Sequence, residues 1–353
     1  MRVLIIGGTH FIGPPVARRL HEAGHDVTVF HRGQTEVNLP KKVAHIHGDR
    51  MLLAAHQEAF KKLLPDVVVD MAAFTQQEAL ATLSAFRGIA RRLVVISSQD
   101  VYRAYGRFHG GEPGVLEQVP LTEDSPLREQ LYPYRGTGRG LDGYEKILVE
   151  RAAMSSALLP GTVLRLPMVY GEGDYQHRLM VELKRMDDQR PAILLEERVA
   201  GWRWTRGYVE NVAAAIALAA SDERAANRTY NVGEPEALSY AAWLRLVGRA
   251  ARWGGSVVVA PNDSLPATLN LPQANYDQHL VVDTSRIRQE LGYQEPVPRD
   301  EALRRTIAWE REARPKDIDR LLDYDAEDAA LAELQAKVSA SDSEPEPRSA
   351  LLP

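Results

Sequence analysis

The residues that could do chemistry begin with a cluster of glycines near the N-terminus. Gly7, Gly8 and Gly13 lie in the segment GGTHFIG, which follows a short apolar run at 3–6 and precedes a helical pattern. Glycines let the chain turn tightly and approach a phosphate closely, and the following helix offers free N–H groups and a positive dipole end. This strand–loop–helix arrangement is typical of dinucleotide-binding proteins, so we expect residues 7–13 to hold a pyrophosphate.

Apolar runs and helical patterns alternate through the first hundred residues. The predicted strands cover residues 3–6, 27–30, 43–46, 67–69 and 93–96, and a sixth covers 162–166. Continuous apolar strands separated by helices indicate a parallel sheet that is covered on both faces. We therefore predict an α/β fold with a Rossmann-type, doubly wound parallel sheet and a smaller C-terminal substrate lobe.

Changes in composition divide the chain into three predicted parts. They are a dinucleotide-binding Rossmann domain over 1–166, a mixed substrate lobe over 167–314 with segments returning to the Rossmann core, and a C-terminal extension over 315–353. Within the first part, residues 103–140 are dense in Gly, Pro, Arg and Tyr and predict a long irregular loop, followed by a helix over 141–159. The end of the chain, 339–353, is rich in Ser, Glu and Pro, which predicts disorder.

The composition excludes several kinds of site. The 353 residues carry a net charge of −5 and no cysteine, so disulfides, thiolate metal sites and cysteine nucleophiles are excluded. The mild negative charge disfavours nucleic-acid binding, and the lack of any run of about 18 apolar residues disfavours a membrane span. The N-terminal apolar run is too short for a signal peptide, so we expect a cytoplasmic protein. His45 and His47 alternate on a predicted strand and are expected at the surface, and no metal site is predicted.

Four segments carry a resemblance to a known family. The chain resembles the extended short-chain dehydrogenase/reductase family, in particular its atypical NAD-dependent epimerase/dehydratase-like branch, in GGTHFIG, RLVVISSQDVY, YEKILVE and VLRLPMVYG. The similarity runs over residues 1–314, and the family pattern GxxGxxG matches at Gly7 and Gly13. His10 replaces the middle glycine, where an imidazole either crowds the pyrophosphate or donates to it. The resemblance implies an NAD(P)-dependent oxidoreductase or epimerase that transfers hydride on a sugar nucleotide or a related hydroxyl or carbonyl compound.

The residue after the second strand bears on the choice of cofactor. Many NAD-binding proteins place an acidic residue there for the ribose 2′-hydroxyl, whereas this chain has Arg32. An arginine accommodates a 2′-phosphate, so NADP is favoured over NAD. By resemblance, Asp49 lies near the adenine. The complete set of cofactor-binding candidates is Gly7, Gly8, Thr9, His10, Phe11, Ile12, Gly13, Arg32, Asp49, Ala72, Ala73, Lys146 and Pro167, the last four around the nicotinamide.

The resemblance also implies a catalytic set. In this family a serine or threonine at the end of the fifth strand polarises the substrate oxygen, and a tyrosine and a lysine in Y-x-x-x-K move the proton. Ser98 matches the first role, because it lies four residues before Tyr102 as in the family, and Ser97 is the alternative. Lys146 matches the lysine. The i, i+4 spacing places tyrosine and lysine on one helix face, where the lysine lowers the tyrosine pKa.

The tyrosine of this pattern is missing from its usual position. Four residues before the lysine stands Asp142, whose carboxylate acts at neutral pH only as a base or as an ion-pair partner. Tyr144, two residues before the lysine, faces another side of a regular helix and reaches the site only if the helix begins after Gly143. Tyr132 and Tyr134 in the predicted loop are further candidate phenols. Asp142 and Tyr144 therefore remain alternative proton carriers.

Asp100 offers a second route for proton transfer. Sugar-nucleotide dehydratases of this family carry Thr-Asp-Glu-Val-Tyr where this chain has Ser98, Gln99, Asp100, Val101 and Tyr102. Asp100 therefore occupies the position of the base, whereas Gln99 cannot serve as the acid. A complete dehydratase is not supported.

The same resemblance assigns the substrate side. It places Arg206 on the substrate diphosphate, since a guanidinium suits phosphate oxygens, with His177 and Arg178 as additional contacts. The rival hypothesis is a nucleotide-binding regulatory or RNA-binding protein that has lost redox catalysis. Its basic residues would be the loop arginines Arg103, Arg107, Arg128, Arg135 and Arg139. A homodimer through the helices after the fourth and fifth strands is expected by analogy.

Overall fold

The computed structural model describes residues 1–35, 37–266, 269 and 273–341. Its strands are β1 (Arg2–Ile6), β2 (Asp26–His31), β3 (Ala44–His47), β4 (Val67–Asp70), β5 (Arg92–Ser98), β6 (Gly161–Leu166), β7 (Met168–Tyr170), β8 (Ala192–Glu196), β9 (Arg206–Tyr208), β10 (Arg228–Asn231) and β11 (Ser256–Ala260). Its helices are α1 (Gly13–Glu22), α2 (Gln57–Leu63), α3 (Gln76–Phe86), α4 (Arg103–Phe108), α5 (Lys146–Ala153), α6 (Met180–Asp187), α7 (Glu197–Gly201), α8 (Val209–Ser221), α9 (Tyr240–Ala251), α10 (Ser285–Leu291), α11 (Arg299–Glu312) and α12 (Tyr324–Ser341). Of the segment predicted to be disordered, 339–341 belong to α12 and 342–353 lie outside the described residues.

Seven strands form one parallel sheet in the order β3–β2–β1–β4–β5–β6–β10. Val3 of β1 is in register with Val27 of β2 on one side and with Val67 of β4 on the other. The chain winds outward from β1 in both directions, which is the doubly wound order. The predicted Rossmann-type sheet is therefore confirmed. Its carboxyl edge, where β1, β4, β5 and β6 end together, positions the candidate site.

The alternation of side chains along β1 explains why helices cover both faces of the sheet. Val3 and Ile5 belong to the core on the face of α1 and α8. Leu4 and Ile6 belong to the core on the opposite face, with α2, α3 and α5. All four side chains are buried, and each contributes about 1.5–3 kcal/mol relative to an exposed position.

A smaller lobe is built from segments that follow β6. Strand β7 pairs with β9, and β8 pairs with β11, both in parallel. Helix α9 packs on α6, α7 and α11, and Tyr170 and Trp243 join the lobe to the core beneath α1 and α8. Strand β10 returns from this lobe to the edge of the main sheet. Among the described residues, no helix combines the length and apolar character that crossing a membrane requires.

The predicted helix over 141–159 is wrong at both ends, because α5 covers only Lys146–Ala153. Glu145 is extended, and its carboxylate accepts a hydrogen bond from the Ile147 amide at 2.9 Å, which caps the helix at that point. At the other end, the Ser155 hydroxyl donates to the Ala152 carbonyl at 2.8 Å. The first residues of the predicted helix are consequently irregular backbone.

The predicted irregular loop over 103–140 is wrong at its start, because the first six residues form α4. Two arginines of this helix, Arg103 and Arg107, bind the carboxylate of Glu117 at 2.7 and 2.9 Å. The segment from 109 to 140 contains turns and isolated bridges but no further helix or strand. The loop is thus tied to its own helix by charge pairs.

A buried ion pair joins helix α5 to the sheet beneath the site. Arg165 of β6 donates two hydrogen bonds to Glu150 of α5, at 2.9 and 2.8 Å. The Ser97 hydroxyl also donates to Glu150, at 2.5 Å. Arg165 donates to the Tyr102 hydroxyl at 3.0 Å, and Tyr102 donates to Asn231 of β10 at 2.6 Å. These bonds connect β5, β6, β10 and α5 through fully partnered buried groups.

We expect Glu150→Ala to lower the free energy of unfolding by about 3–5 kcal/mol, because it leaves the Arg165 charge buried without its partner. Chemical denaturation measures this change. Glu58→Ala, which removes an exposed pair with Lys61, is the control and should leave stability nearly unchanged. If both substitutions lowered the free energy of unfolding equally, the buried pair would contribute no more to stability than the exposed one.

Candidate active site

The glycine loop between β1 and α1 is closed by contacts that only glycine allows. Gly7 has φ +81°, and a methyl group there would lie 2.6 Å from Ala72 Cβ. A methyl group at Gly13 would lie 2.5 Å from the backbone carbon of Gly8. Any side chain at these positions would force the loop open. The glycines therefore hold the loop against the ends of β1 and β4.

The amides of Phe11 and Ile12 lie in this loop, directly ahead of α1. Among the described residues, neither amide has a hydrogen-bond acceptor. Pro14 and Pro15 follow in the first turn of α1 and contribute no N–H groups. A diphosphate would therefore be held by two amides ahead of the helix and by the helix dipole. The unpartnered amides and the close-packed glycines fit such a group.

The predicted adenosine-side residues lie at the ends of β2 and β3. His10 points out of the loop, and its Nε2 is 3.0 Å from the Thr35 hydroxyl, so it forms a local contact outside the glycine turn. Arg32 is exposed directly after β2. Asp49 accepts a hydrogen bond from the Met51 amide at 2.9 Å and caps the short helical segment that follows it. The aspartate at position 49 is thus also explained by its role as the cap of this helical segment.

Tyr144 and Asp100 form the centre of a polar cluster at the carboxyl edge. The Tyr144 hydroxyl donates to Asp100 Oδ2 at 2.8 Å, and Tyr134 donates to the same oxygen at 3.1 Å. The Ser98 hydroxyl accepts a hydrogen bond from the Asp100 amide at 3.2 Å, and it lies close enough to Tyr144 to act against the rise of the Tyr144 pKa. Because α5 begins only at Lys146, Tyr144 lies outside the helix, after a turn in which its amide donates to the Leu141 carbonyl at 3.0 Å. The structure therefore brings Ser98, Tyr144 and Asp100 together.

Lys146 is buried at the first position of α5 and ties this helix to two strands. Its Nζ donates to the Ala73 carbonyl at 2.6 Å and to the Ile96 carbonyl at 2.8 Å. The ammonium lies 4.7 Å from the centre of the Phe74 ring and 5.8 Å from that of Tyr144. Burial lowers the pKa of Lys146 to about 8, against the opposing effect of Asp100. A cation that exchanges its proton near neutral pH is therefore next to the tyrosine.

Burial has the opposite effect on the two acids of the cluster. It raises the pKa of Tyr144 well above its usual value, and the neighbouring Asp100 carboxylate raises it further. Burial also raises the pKa of Asp100, although the hydrogen bond from Tyr144 and the Arg128 charge act against this rise. Asp100 Oδ1 is buried without a hydrogen-bond partner in the described part of the chain. The cluster therefore holds a protonated phenol beside an acid that gains a proton readily.

Three other candidates from the sequence lie outside this cluster. Asp142 is exposed, and its carboxylate accepts the Gly136 amide at 2.7 Å. Tyr132 packs its ring under the Arg135 guanidinium, 3.9 Å away. The Ser97 hydroxyl is committed to the buried ion pair described above. Of the alternatives left open by the sequence, the geometry favours Tyr144 over Asp142 and Ser98 over Ser97.

Sequence reasoning did not assign two residues to the cluster that the structure places there. The Tyr105 hydroxyl lies 2.9 Å from that of Tyr134, which extends the chain of phenols away from Asp100. Arg128, buried and paired with Glu145, donates to the Asp100 carbonyl at 2.5 Å. The density of Tyr and Arg over 103–140 was the available signal. It could not show which of these residues folds back to the sheet.

The predicted substrate residues lie in the smaller lobe. Arg206 is buried, with its guanidinium 4.6 Å from the Trp243 ring and its Nη1 donating to the Trp204 carbonyl at 3.2 Å. Its Nε has no partner in the described structure, and burial lowers its pKa to about 10. His177 contacts Glu310 at 2.7 Å, and Arg178 donates to Asp174 at 2.5 Å. Arg206 therefore has unused donor capacity, whereas the other two residues have protein partners.

The strand order of the sheet and the glycine loop are those of the extended short-chain dehydrogenase/reductase type, as the sequence motifs indicated. A sequence model of the NAD dependent epimerase/dehydratase family matches residues 3–233, and the chain belongs to that family.

Characterised relatives cover part of the chain. 2′-Dehydrokanamycin reductase of Streptomyces kanamyceticus is 28% identical over 235 residues, which make up 64% of this chain and 59% of that protein. UDP-glucose 4-epimerase of Streptomyces lividans is 31% identical over 147 residues, or 36% of this chain and 41% of that protein. The matches thus span less than two thirds of either relative. The crystal structure of Thermus thermophilus UDP-glucose 4-epimerase with NAD is similar in fold, with a TM-score of 0.62 and 24% identity over 89% of this chain and 100% of that one.

The buried carboxylate of Asp100 predicts a pH-dependent stability. Because its pKa is raised in the folded protein, its favourable contribution is present below the unfolded pKa and is lost as pH rises through the folded pKa. Asp100→Asn keeps an oxygen for both tyrosines and removes the charge. We expect the variant to be more stable than the native chain at neutral pH by about 1–3 kcal/mol, with the difference vanishing towards pH ~4.

Denaturation in urea at several pH values measures this difference. Asp142→Asn is the matched control, since that carboxylate is exposed, and we expect it to leave stability nearly unchanged at each pH. An Asp100→Asn variant that is less stable than the native chain at neutral pH would show that the carboxylate charge is favourable in the folded state.

Proposed function

We propose that this protein is an NAD(P)-dependent oxidoreductase or epimerase that transfers hydride at a hydroxyl or carbonyl carbon of a sugar nucleotide or a related sugar. The observation that carries the proposal is the hydrogen bond from the Tyr144 hydroxyl to Asp100, next to Ser98 and Lys146 and at the same sheet edge as the glycine loop. This arrangement supplies a phenol, a hydroxyl and a cation to one substrate oxygen.

The bound nicotinamide would supply or accept the hydride. The amides of Phe11 and Ile12 would hold its diphosphate, and Ala72 and Ala73 would line the nicotinamide half beside Lys146. A methyl group at Gly173 would contact Phe11 Cα at 3.6 Å, so the smaller lobe approaches the loop from the substrate side. These contacts support a cofactor enclosed between the sheet edge and the lobe.

Proton transfer falls to Tyr144 and its neighbours. With a pKa raised by burial, Tyr144 is protonated at neutral pH and donates to the oxygen of a carbonyl that is being reduced. The Lys146 ammonium then stabilises the phenolate that is left. In the direction of oxidation, Asp100 accepts the tyrosine proton as Tyr144 takes one from the substrate hydroxyl. Ser98 orients the substrate oxygen.

The relatives support a sugar as the substrate. One is a reductase named for 2′-dehydrokanamycin, and another is an epimerase named for UDP-glucose. Arg206, buried with an unpartnered Nε, supports an anionic substrate, since a buried guanidinium without a carboxylate partner favours phosphate oxygens. We therefore take a nucleoside diphosphate sugar as the first substrate class to test.

The rival hypothesis of RNA binding has less support in this geometry. Arg103 and Arg107 share Glu117, and Arg128 binds Glu145, so three of the five loop arginines are already in contact with carboxylates. RNA binding would require cations free to contact phosphates.

We expect Tyr144→Phe to lower kcat by about 10²–10⁴-fold, because it removes the proton donor while leaving the ring in place. The assays are interconversion of UDP-glucose and UDP-galactose, and reduction of 2′-dehydrokanamycin with NADPH. Asp142→Asn is the control and should retain nearly full activity. Full activity in Tyr144→Phe together with loss in Asp142→Asn would overturn the assignment of the proton donor, and no turnover with failure to bind either dinucleotide would overturn the function.

For the cofactor, the basic residue after β2 favours NADP. We expect Arg32→Ala to weaken NADP binding by about 10–100-fold, because a charge-assisted contact to the 2′-phosphate is lost, and to leave NAD binding unchanged. Fluorescence titration of each dinucleotide measures this. Arg87→Ala, another exposed arginine at the end of α3, is the control. Equal effects on both dinucleotides would contradict a 2′-phosphate contact.

A further inference from the structure

Three histidines converge at the outer edge of the sheet, away from the tyrosine cluster. Strands β2 and β3 pair in parallel with Val29 opposite His45 and His31 opposite His47. Alternate residues of a strand share a face, so His31, His45 and His47 project from the same face. We call these three residues the histidine cluster. The face that is buried at Val29 becomes accessible at the ends of the two strands.

The imidazoles of the histidine cluster lie within reach of one ion. One nitrogen from each ring can be chosen so that all three lie within 4.8 Å of one another. The rings of His45 and His47 lie 5.0 and 4.9 Å from that of His31, centre to centre. Zinc binds imidazole nitrogens at about 2.0–2.1 Å in tetrahedral geometry, which separates the ligand nitrogens by about 3.3 Å. Small rotations of exposed side chains reach that arrangement.

We propose that the histidine cluster binds a divalent transition-metal ion, with zinc as the first ion to test. Three neutral imidazoles are a donor set that suits zinc, copper and nickel rather than magnesium or calcium. The exposure of His45 and His47 leaves a fourth position open to water.

The hydrogen bonds of His31 define what metal binding changes. The Gly33 amide donates to His31 Nδ1 at 3.1 Å, so Nε2 carries the proton and points at His45 Nδ1, 2.8 Å away. A metal ion on Nε2 takes the place of this proton. The proton moves to Nδ1, which then no longer accepts the hydrogen bond from the Gly33 amide. That amide becomes exposed to solvent. Metal binding therefore carries a local signature at Gly33 as well as at the ligands.

The histidine cluster adjoins Arg32 and Asp49, the predicted adenosine-side residues, but its metal binding can be tested apart from the proposed function. It lies on the β2–β3 side of the sheet, whereas Tyr144 and Lys146 lie across β1 at β4 and β5. Metal binding can therefore be measured without any substrate or dinucleotide, and its failure would leave the catalytic proposal untouched.

The test uses the full chain without a histidine tag. Equilibrium dialysis with Zn²⁺ measures stoichiometry and affinity, and the visible absorption of bound Co²⁺ reports four-coordinate geometry. The variants His45→Gln and His47→Gln alter exposed side chains and should fold normally. His21→Gln on α1 is the matched control outside the histidine cluster.

We expect one Zn²⁺ per native chain, at least about tenfold weaker binding in each cluster variant, and unchanged binding in the control. In NMR spectra, the chemical shift of the Gly33 amide should change on titration with Zn²⁺. Absence of stoichiometric Zn²⁺ binding, or binding that the cluster variants leave intact, would overturn the proposal. Equal weakening in the control would show that the ion binds elsewhere.

Discussion

The candidate site depends on the buried ammonium of Lys146 and on where it anchors helix α5. Its two hydrogen bonds, to the carbonyls of Ala73 and Ile96, hold the start of the helix against the segment after β4 and against β5. A buried amine must find such partners, because an unpaired one costs several kcal/mol. The helix begins at this point because Glu145 is extended and caps it through the Ile147 amide. The turn before Glu145 then brings the phenol of Tyr144 to the sheet edge.

The start of α5 at Lys146 explains how a chain without the tyrosine of the Y-x-x-x-K pattern still places a phenol beside the lysine. At the position four before Lys146 the chain has Asp142, which is exposed and binds the loop backbone at Gly136. Tyr144 reaches the cluster instead, because it lies in a turn before α5 rather than on the face of the helix. Asp100, at the end of β5, then receives this tyrosine and fixes its orientation. A phenol two residues before Lys146 thus lies at the sheet edge where the proposed function requires one.

Charge pairing beneath the sheet edge supports the same arrangement. The Arg165–Glu150 pair locks the body of α5, and the Arg128–Glu145 pair locks the residue that caps it. Both pairs are buried and have further hydrogen bonds, which is the condition under which buried ions are tolerated. The long segment between α4 and α5 is thereby held close enough for Tyr134 and Tyr144 to share one carboxylate oxygen.

The sequence by itself determined the parallel sheet and the glycine loop between β1 and α1, since strand periodicity and short motifs are local properties. It predicted strands β1–β6 closely, placed the helix that became α5 with errors at both ends, and did not predict α4. It could not choose between Asp142 and Tyr144, or between Ser97 and Ser98, because that choice depends on partners distant in the sequence: Ser97 binds Glu150, and Tyr144 binds Asp100. His45 and His47 looked like isolated surface residues for the same reason. Only the register of β3 against β2 brings His31 beside them, and register is set by packing across the whole sheet rather than by neighbours along the chain.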